Sequence, residues 1–320
     1  MSKQPVHKYT EKIQPVPSVP VSVQRVGLIG DPVAHSFSPR LQQAAFDALG
    51  ISARYELWQT SADALATRVA SLLHPQFLGA NVTIPHKEAV LPLLDIVDPL
   101  ASRIGAVNTI VHQNEYLHGY NTDAPGLLNA LADYDIGTRD ENGHVSLKGY
   151  TVVLLGAGGA ARSAAFAVAS ASVTRLIIVN RNLERAQQLA NNVGNQFMVS
   201  SFNEAETTQV FCLNDTEFLI PHPRSIIINA TSVGMHTSKT EGKTEDESPL
   251  PSEILTRFTS DTFILDMVYN PVQTRLLIQA RTLGLRAVNG LPMLLHQGAL
   301  AFTLWTGQPA PLDIMRSTIL

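Results

Sequence analysis

From residue 23 onward the chain alternates short apolar runs with longer segments whose apolar positions recur at helical spacing. "RVGLIG" (Arg25–Gly30) predicts a buried strand. "SPRLQQAAFDALG" predicts a helix with Ser38 as N-cap, Pro39 as its first residue and Gly50 at its end. "ARYELWQ" predicts a second strand, "SADALATRVASLL" a second helix and "LGANVTI" a third strand. "HKEAVLPLLDIVDPLASRIG" predicts a helix broken at Pro92 and Pro99, and "AVNTIVHQNEYLHGYN" a hairpin turning at "QNE". A second alternation starts at Tyr150 with "YTVVLLGAGGAARSAAFAVASASVTRLIIVNRN". The C-terminal "LPMLLHQGALAFTLWTG" predicts an apolar helix stopped by Gly307. Repeated strand–helix alternation argues for mostly parallel sheets covered by helices.

Three stretches break the pattern. The first 22 residues hold four prolines and no apolar run, which predicts a disordered tail rather than a secretory signal. "ADYDIGTRDENGHVSLKG" (132–149) predicts a polar surface excursion. The loop His236–Pro251 is too hydrophilic to pack.

Composition narrows the function. The 320 residues are 45% hydrophobic and 16% charged, as in a well-packed globule, with a net charge of -4. That balance gives no pull toward nucleic acid or anionic lipid, and no run is long enough to cross a bilayer. The single cysteine, Cys212, excludes a disulfide within the chain and a cysteine-based zinc site. No His/Asp/Glu grouping has metal spacing. A cytoplasmic location and no metal are expected.

The most specific local signal is Val152–Leu155 running into "GAGGAAR". Gly156, Gly158 and Ala161 match G-x-G-x-x-G/A between a strand and a helix. Gly156 permits the tight turn, Gly158 lets backbone N–H groups approach a pyrophosphate, and Ala161 permits close helix–strand packing. Ala157, Gly159 and Ala160 complete the turn. The next strand ends in Asn180, Arg181 and Asn182, with Arg185 beyond, where an NAD site would carry an acidic residue. Guanidinium groups there suit a 2′-phosphate, so NADP is the expected cofactor.

A nicotinamide site needs a group that handles the proton accompanying the hydride. None of the seven tyrosines has a lysine four residues later, so a Tyr-x-x-x-Lys pair is absent. Polar residues instead gather at the ends of N-terminal strands, where open α/β sheets bind ligands. They are Ser36, Ser38, Asn81, Thr83, Lys87, Asn108 and Asp123. Each alone has an ordinary explanation: Ser38 and Asp123 as helix caps, Asn108 and Asn121 as turn residues, Lys87 as a solvated lysine.

"GDPVAHSFSP", "NVTIPHK", "GAVNT", "GYNTD", "GAGGAAR", "NRNLERA", "NATSVGM", "DMVYNP" and "GLPMLLHQGA" follow one another in the order found in shikimate dehydrogenases. The resemblance runs from about Gly27 to Gly307. It implies two α/β domains around a cleft, the second a Rossmann-type NADP-binding domain. The domains implied are 23–123 completed by 291–320 for substrate and catalysis, and 124–290 for NADP. It also implies NADPH-dependent reduction of 3-dehydroshikimate to shikimate on the route to aromatic amino acids.

By the same resemblance Lys87 and Asp123 form the catalytic pair, with Lys87 either donating the proton or orienting as a cation. Ser36 and Ser38 hold the substrate carboxylate, and Thr83 and Asn108, supported by Asn81, bind ring hydroxyls. Tyr269 and Gln297 close on substrate, while Thr231, Gly290 and Met293 fall with the cofactor. A monomer or homodimer is expected. Departures from the family pattern are Gln42 and Gln43 for a His-Asn pair, His86 for an aromatic, Pro292 for a smaller or polar residue, Asn182 for threonine, and a longer loop before Glu247. Two rival readings are a catabolic, NAD-using quinate/shikimate dehydrogenase and a non-catalytic metabolite-binding regulator of the same fold.

Overall fold

Two six-stranded sheets organise the chain in a computed structural model that describes residues 23–197, 208–212, 222–235 and 247–319. The proline-rich N-terminal stretch and most of the polar loop after Met235 lie outside the described residues.

The first sheet grows from β1 (Gln24–Gly30), α1 (Ser38–Ala48), β2 (Ala53–Gln59), α2 (Leu65–Ser71) and β3 (Phe77–Val82). The chain continues through β4 (Ile96–Val97), α3 (Pro99–Ile104), β5 (Thr109–Gln113) and β6 (Tyr116–Tyr120). Strand order is β2-β1-β3-β5-β6-β4, with β5 antiparallel to both β3 and β6. β1 is covered on both faces and reads as a continuous apolar run, whereas β2 at the edge alternates buried and exposed positions. The β5–β6 hairpin turns at Asn114 and Glu115, both at positive φ, as a two-residue turn between twisted strands requires.

After α4 (Asp123–Ala132) a small hairpin of β7 (Thr138–Arg139) and β8 (Val145–Ser146) precedes the second sheet. That sheet takes β9 (Thr151–Leu155), α5 (Gly159–Ser170), β10 (Arg175–Asn180), α6 (Leu183–Phe197) and β11 (Thr208–Cys212). It continues with β12 (Ser225–Asn229), α7 (Ser252–Leu255), β13 (Phe263–Asp266), α8 (Arg275–Thr282) and β14 (Arg286–Val288). All pairings are parallel, in the order β11-β10-β9-β12-β13-β14. This is the doubly wound order in which chain direction reverses beside the first strand, opening a crevice between β9 and β12 at their carboxyl ends.

α9 (Leu291–Thr306) then returns to the first sheet, burying Leu295, Phe302 and Trp305 there, and α10 (Leu312–Ser317) packs behind it. Gly307, left-handed at φ 68°, ends α9 as its sequence predicts. Among the described residues no helix is long and apolar enough to cross a membrane.

Four local expectations change. Ser38 is not a helix cap: α1 begins at Ser38 with Phe37 in the cap position and no side-chain cap bond. The segment after Lys87 is not one broken helix. It folds as a 3₁₀ turn at Leu91–Leu93, the short β4, and α3. Asp98 is held extended by the following proline and caps α3, accepting from Leu100 N at 2.9 Å. The excursion at 132–149 is not wholly superficial, because Ile136, Val145 and Leu147 are buried in the core around α4 and α5. Finally, the strand predicted over "LGANVTI" is β3, which ends at Val82, and Ile84 beyond it is 54% exposed.

Candidate active site

The carboxyl ends of both sheets face one cavity of about 700 Å³. Its lining includes every residue singled out above for substrate, catalysis or cofactor except Asn182 and the buried Ala161. Positions from residue 36 to residue 297 therefore meet in one place.

At its floor Lys87 Nζ donates to Asp123 Oδ2 at 2.6 Å, with the two side chains 14% and 7% exposed. Asp123 is the first residue of α4 but does not cap it; Asn121 Oδ1 instead accepts from Ala124 N at 3.1 Å. This leaves the Asp123 carboxylate free of the helix end. Its Oδ1 accepts from Asn108 Nδ2 at 2.9 Å, and the Asn108 amide also reaches Thr122 Oγ1 at 2.9 Å and Gln297 Oε1 at 3.3 Å. Asn108 is thus the hub that orients Asp123, and Asp123 orients Lys87. Gln297 reaches this hub because α9 crosses α4 at Gly126, where an added Cβ would stand 2.8 Å from Gln297 N.

Asn81 is only 5% exposed, and its amide is used within the protein. Nδ2 donates to Asn108 O and Thr109 Oγ1, both at 3.1 Å, while Oδ1 accepts from the Tyr55 hydroxyl at 2.8 Å. Tyr55 was not apparent in the sequence, since a tyrosine in an alternating edge strand carries no signal of its own. Thr83 stands just past β3 with its methyl packed over Gly30.

Ser36 and Ser38 form the opposite wall. Ser36 Oγ donates to Ser38 Oγ at 3.1 Å and accepts from Ser38 N at 3.2 Å. Tyr269 lies beside them, its ring 5.4 Å from that of Phe37. Burial pushes the Tyr269 phenol up, and hydrogen bonds from Ser36 and the Phe37 backbone offset part of that shift. Burial likewise raises Tyr55 above its ordinary value, tempered by a hydrogen bond with Ser38. Both phenols therefore stay protonated at neutral pH, and the wall presents hydroxyls without charge.

The other half of the cavity fits a dinucleotide phosphate. Gly156 has φ 112°, and a Cβ there would crowd Ala230 O at 3.2 Å, so the turn needs glycine. A Cβ at Gly158 would meet nothing within 4 Å, so the backbone faces open space at the start of the twelve-residue α5. Ala157, Gly159 and Ala160 line the same mouth, and Asn180, Arg181 and Arg185 line its far end. Asn182 is used differently: its Oδ1 accepts from Arg185 N at 2.9 Å and its carbonyl from Asn180 Nδ2 at 2.8 Å, which holds the turn into α6.

Thr231, Gly290 and Met293 also line the cavity. So do Ser232, Val233, Met267 and Val268, which the sequence reading missed. They follow the ends of β12 and β13, so the rule that ligands sit beyond strand carboxyl ends was the available signal.

Family models match along the chain: the shikimate dehydrogenase substrate binding domain over residues 28–110, shikimate / quinate 5-dehydrogenase over 139–240, and the shikimate 5′-dehydrogenase C-terminal domain over 290–320. The NADP(+) shikimate dehydrogenase of Moorella thermoacetica is 41% identical, covering 93% of this chain and 92% of the relative. Shikimate 5-dehydrogenase from Thermus thermophilus, solved with NADP(H) and shikimate, superposes with a TM-score of 0.75 at 36% identity, over 92% of this chain and 98% of that one. The Listeria monocytogenes enzyme, solved with shikimate and NAD, gives 0.78 at 30% identity, over 95% and 99%.

Proposed function

The chain belongs to the shikimate dehydrogenase family, and from that membership we propose that its cavity carries out the reversible NADPH-dependent reduction of 3-dehydroshikimate to shikimate. The observation that carries the assignment to particular residues is the Lys87–Asp123 pair. It lies between a hydroxyl-lined wall and a glycine-rich dinucleotide turn in one cavity.

We assign the substrate carboxylate to Ser36 and Ser38, whose hydroxyls are adjacent at the start of α1 and supported by two protonated tyrosines. The ring hydroxyls fall to Thr83, Asn108 and Gln297, and Asn81 acts beneath them by fixing Asn108 and Tyr55. Gly156 to Ala160 take the pyrophosphate on backbone N–H groups, and Arg181 with Arg185 take a 2′-phosphate. Asn182 shapes that turn. Thr231, Gly290, Met293 and Tyr269 bound the space where the two ligands meet.

When bound, NADPH supplies the hydride that reduces the C3 carbonyl. Lys87 holds an ammonium beside the oxygen that gains charge, and it has a proton to give. Asp123 keeps that ammonium in place through a charge-assisted hydrogen bond, and Asn108 keeps Asp123 in place. In the oxidative direction the same lysine, as the neutral amine, takes the hydroxyl proton and becomes the ammonium. Residues 23–123 with 291–320 form the substrate half of this reading, and 124–290 the NADP half.

Every assigned residue comes from one chain, which supports a site complete in a monomer or in each half of a homodimer. A single cysteine among 320 residues supports a cytoplasmic location. No acidic residue stands at Asn180–Asn182 to favour NAD. Both members of the lysine–aspartate pair are present, unlike in a regulator that has lost the chemistry. The test is spectrophotometric: shikimate should reduce NADP+ with a higher kcat/KM than NAD+, and quinate should be the poorer substrate. Preference for quinate with NAD+ would move the assignment to the catabolic enzyme.

A further inference from the structure

β12 and β13 end in register with Asn229 opposite Asp266, at the carboxyl edge of the sheet and just beneath the cavity. Neither residue lines the cavity, and both are fully buried. Asp266 Oδ1 accepts from Asn229 Nδ2 at 2.8 Å and from Val268 N at 3.1 Å. Its Oδ2 accepts from Thr274 Oγ1 at 2.5 Å, and Thr274 in turn caps α8. Asn229 Oδ1 accepts from Thr231 N at 3.1 Å and Thr231 Oγ1 at 2.7 Å.

Two arms therefore leave one carboxylate. One runs through Asn229 to Thr231 in the loop after β12, on the cofactor side. The other runs to Val268, beside Tyr269, in the strap after β13, on the substrate side. Capping α8 alone would need only one acceptor. A carboxylate accepts from all three donors at once, with Oδ1 joining the two arms and Oδ2 serving Thr274. Burying one beside neutral partners is unfavourable unless those bonds are made, and here all three are.

We propose that Asp266 is a positioning residue that fixes the spacing between the cofactor-facing loop and the strap carrying Tyr269. It acts through Asn229 and Val268 without touching either ligand. The inference rests on the cavity being the NADP and shikimate site.

The test compares three variants of the full chain by NADP+ titration calorimetry, by shikimate KM, and by thermal unfolding. Asp266→Ala should raise both the NADP+ Kd and the shikimate KM by about tenfold or more, as the loss of charged hydrogen bonds would. Asp266→Asn keeps an amide oxygen toward Asn229 and Val268 and should stay within about threefold of wild type for both ligands. Asn229→Ala cuts only the cofactor arm. It should raise NADP+ Kd by about tenfold while shikimate KM stays within about threefold.

A folded Asp266→Ala protein with wild-type Kd and KM and only a lower melting temperature would overturn the proposal. Should that variant not fold, Asn229→Ala decides, and an equal effect on both ligands would be as damaging. Wild-type protein that neither binds NADP+ nor oxidises shikimate would instead overturn the functional assignment, and this inference with it.

Discussion

Gly159 and Lys87 follow strands of different sheets, β9 and β3, yet they pack against each other. A Cβ added at Gly159 would stand 3.4 Å from Lys87 Cβ and 3.6 Å from its Cδ. The dinucleotide turn thus braces the proposed catalytic lysine. Gly159→Ala makes ordinary contact and should keep kcat within about threefold. Gly159→Val forces the lysine aside, and misplacement by about 1 Å can cost on the order of 100-fold. Steady-state kinetics on both variants check this, and equal kcat values would remove the bracing role.

Lys87→Ala should lower kcat by about 10²–10⁴, the range for a lost acid–base group, and change shikimate KM much less. A loss confined to KM would leave Lys87 as a binding residue only.

Arg181→Ala should raise KM for NADP+ by about tenfold or more, since a hydrogen bond to a charged group is worth about 1.5–3 kcal/mol. KM for NAD+ should hardly move, because NAD+ lacks the 2′-phosphate. Parallel losses with both dinucleotides would place Arg181 elsewhere than at that phosphate.

Burial pushes the Asp266 carboxyl up from 3.8 to about 6, against the opposing pull of Thr274, Val268 and Asn229, all neutral. A folded-state value above the unfolded one means the native state holds a proton that the unfolded chain has released. The stabilisation is therefore fully present below about pH 4 and is lost as pH rises through about 6, a change of roughly 3 kcal/mol. Urea unfolding of wild type and Asp266→Asn at pH 4.5 and 7.5 isolates it. The stability difference should shift toward wild type at the lower pH, and a difference independent of pH would contradict the assignment.

Local physics made much of this protein legible in its sequence. The β9–"GAGG"–α5 unit follows from a strand, a glycine at positive φ and a helix start, all within twenty residues. The β5–β6 hairpin and the Gly307 stop are equally local. The motif order likewise brought forward as site residues Lys87, Asp123, the serine pair and the glycine-rich turn of the cavity, though not Ser232, Val233, Met267 or Val268.

What each of those residues does there depended on contacts from elsewhere in the chain. Ser38 and Asp123 had capping as an equal explanation. It fell away only because Phe37 and Thr122 occupy the cap positions and Lys87, 36 residues from Asp123, supplies the carboxylate's partner. In "GANVTI", Ile84 faces the cleft because β3 stops at Val82, and Asn81 is tied down by Tyr55 and Asn108. Asn229 and Asp266 open the motifs "NATSVGM" and "DMVYNP", but their pairing comes only from the parallel register that sets them side by side. Backbone propensity and turn chemistry are settled within a few residues and so are written in the sequence. The partners of a buried polar group come from distant segments, and only the tertiary structure decides them.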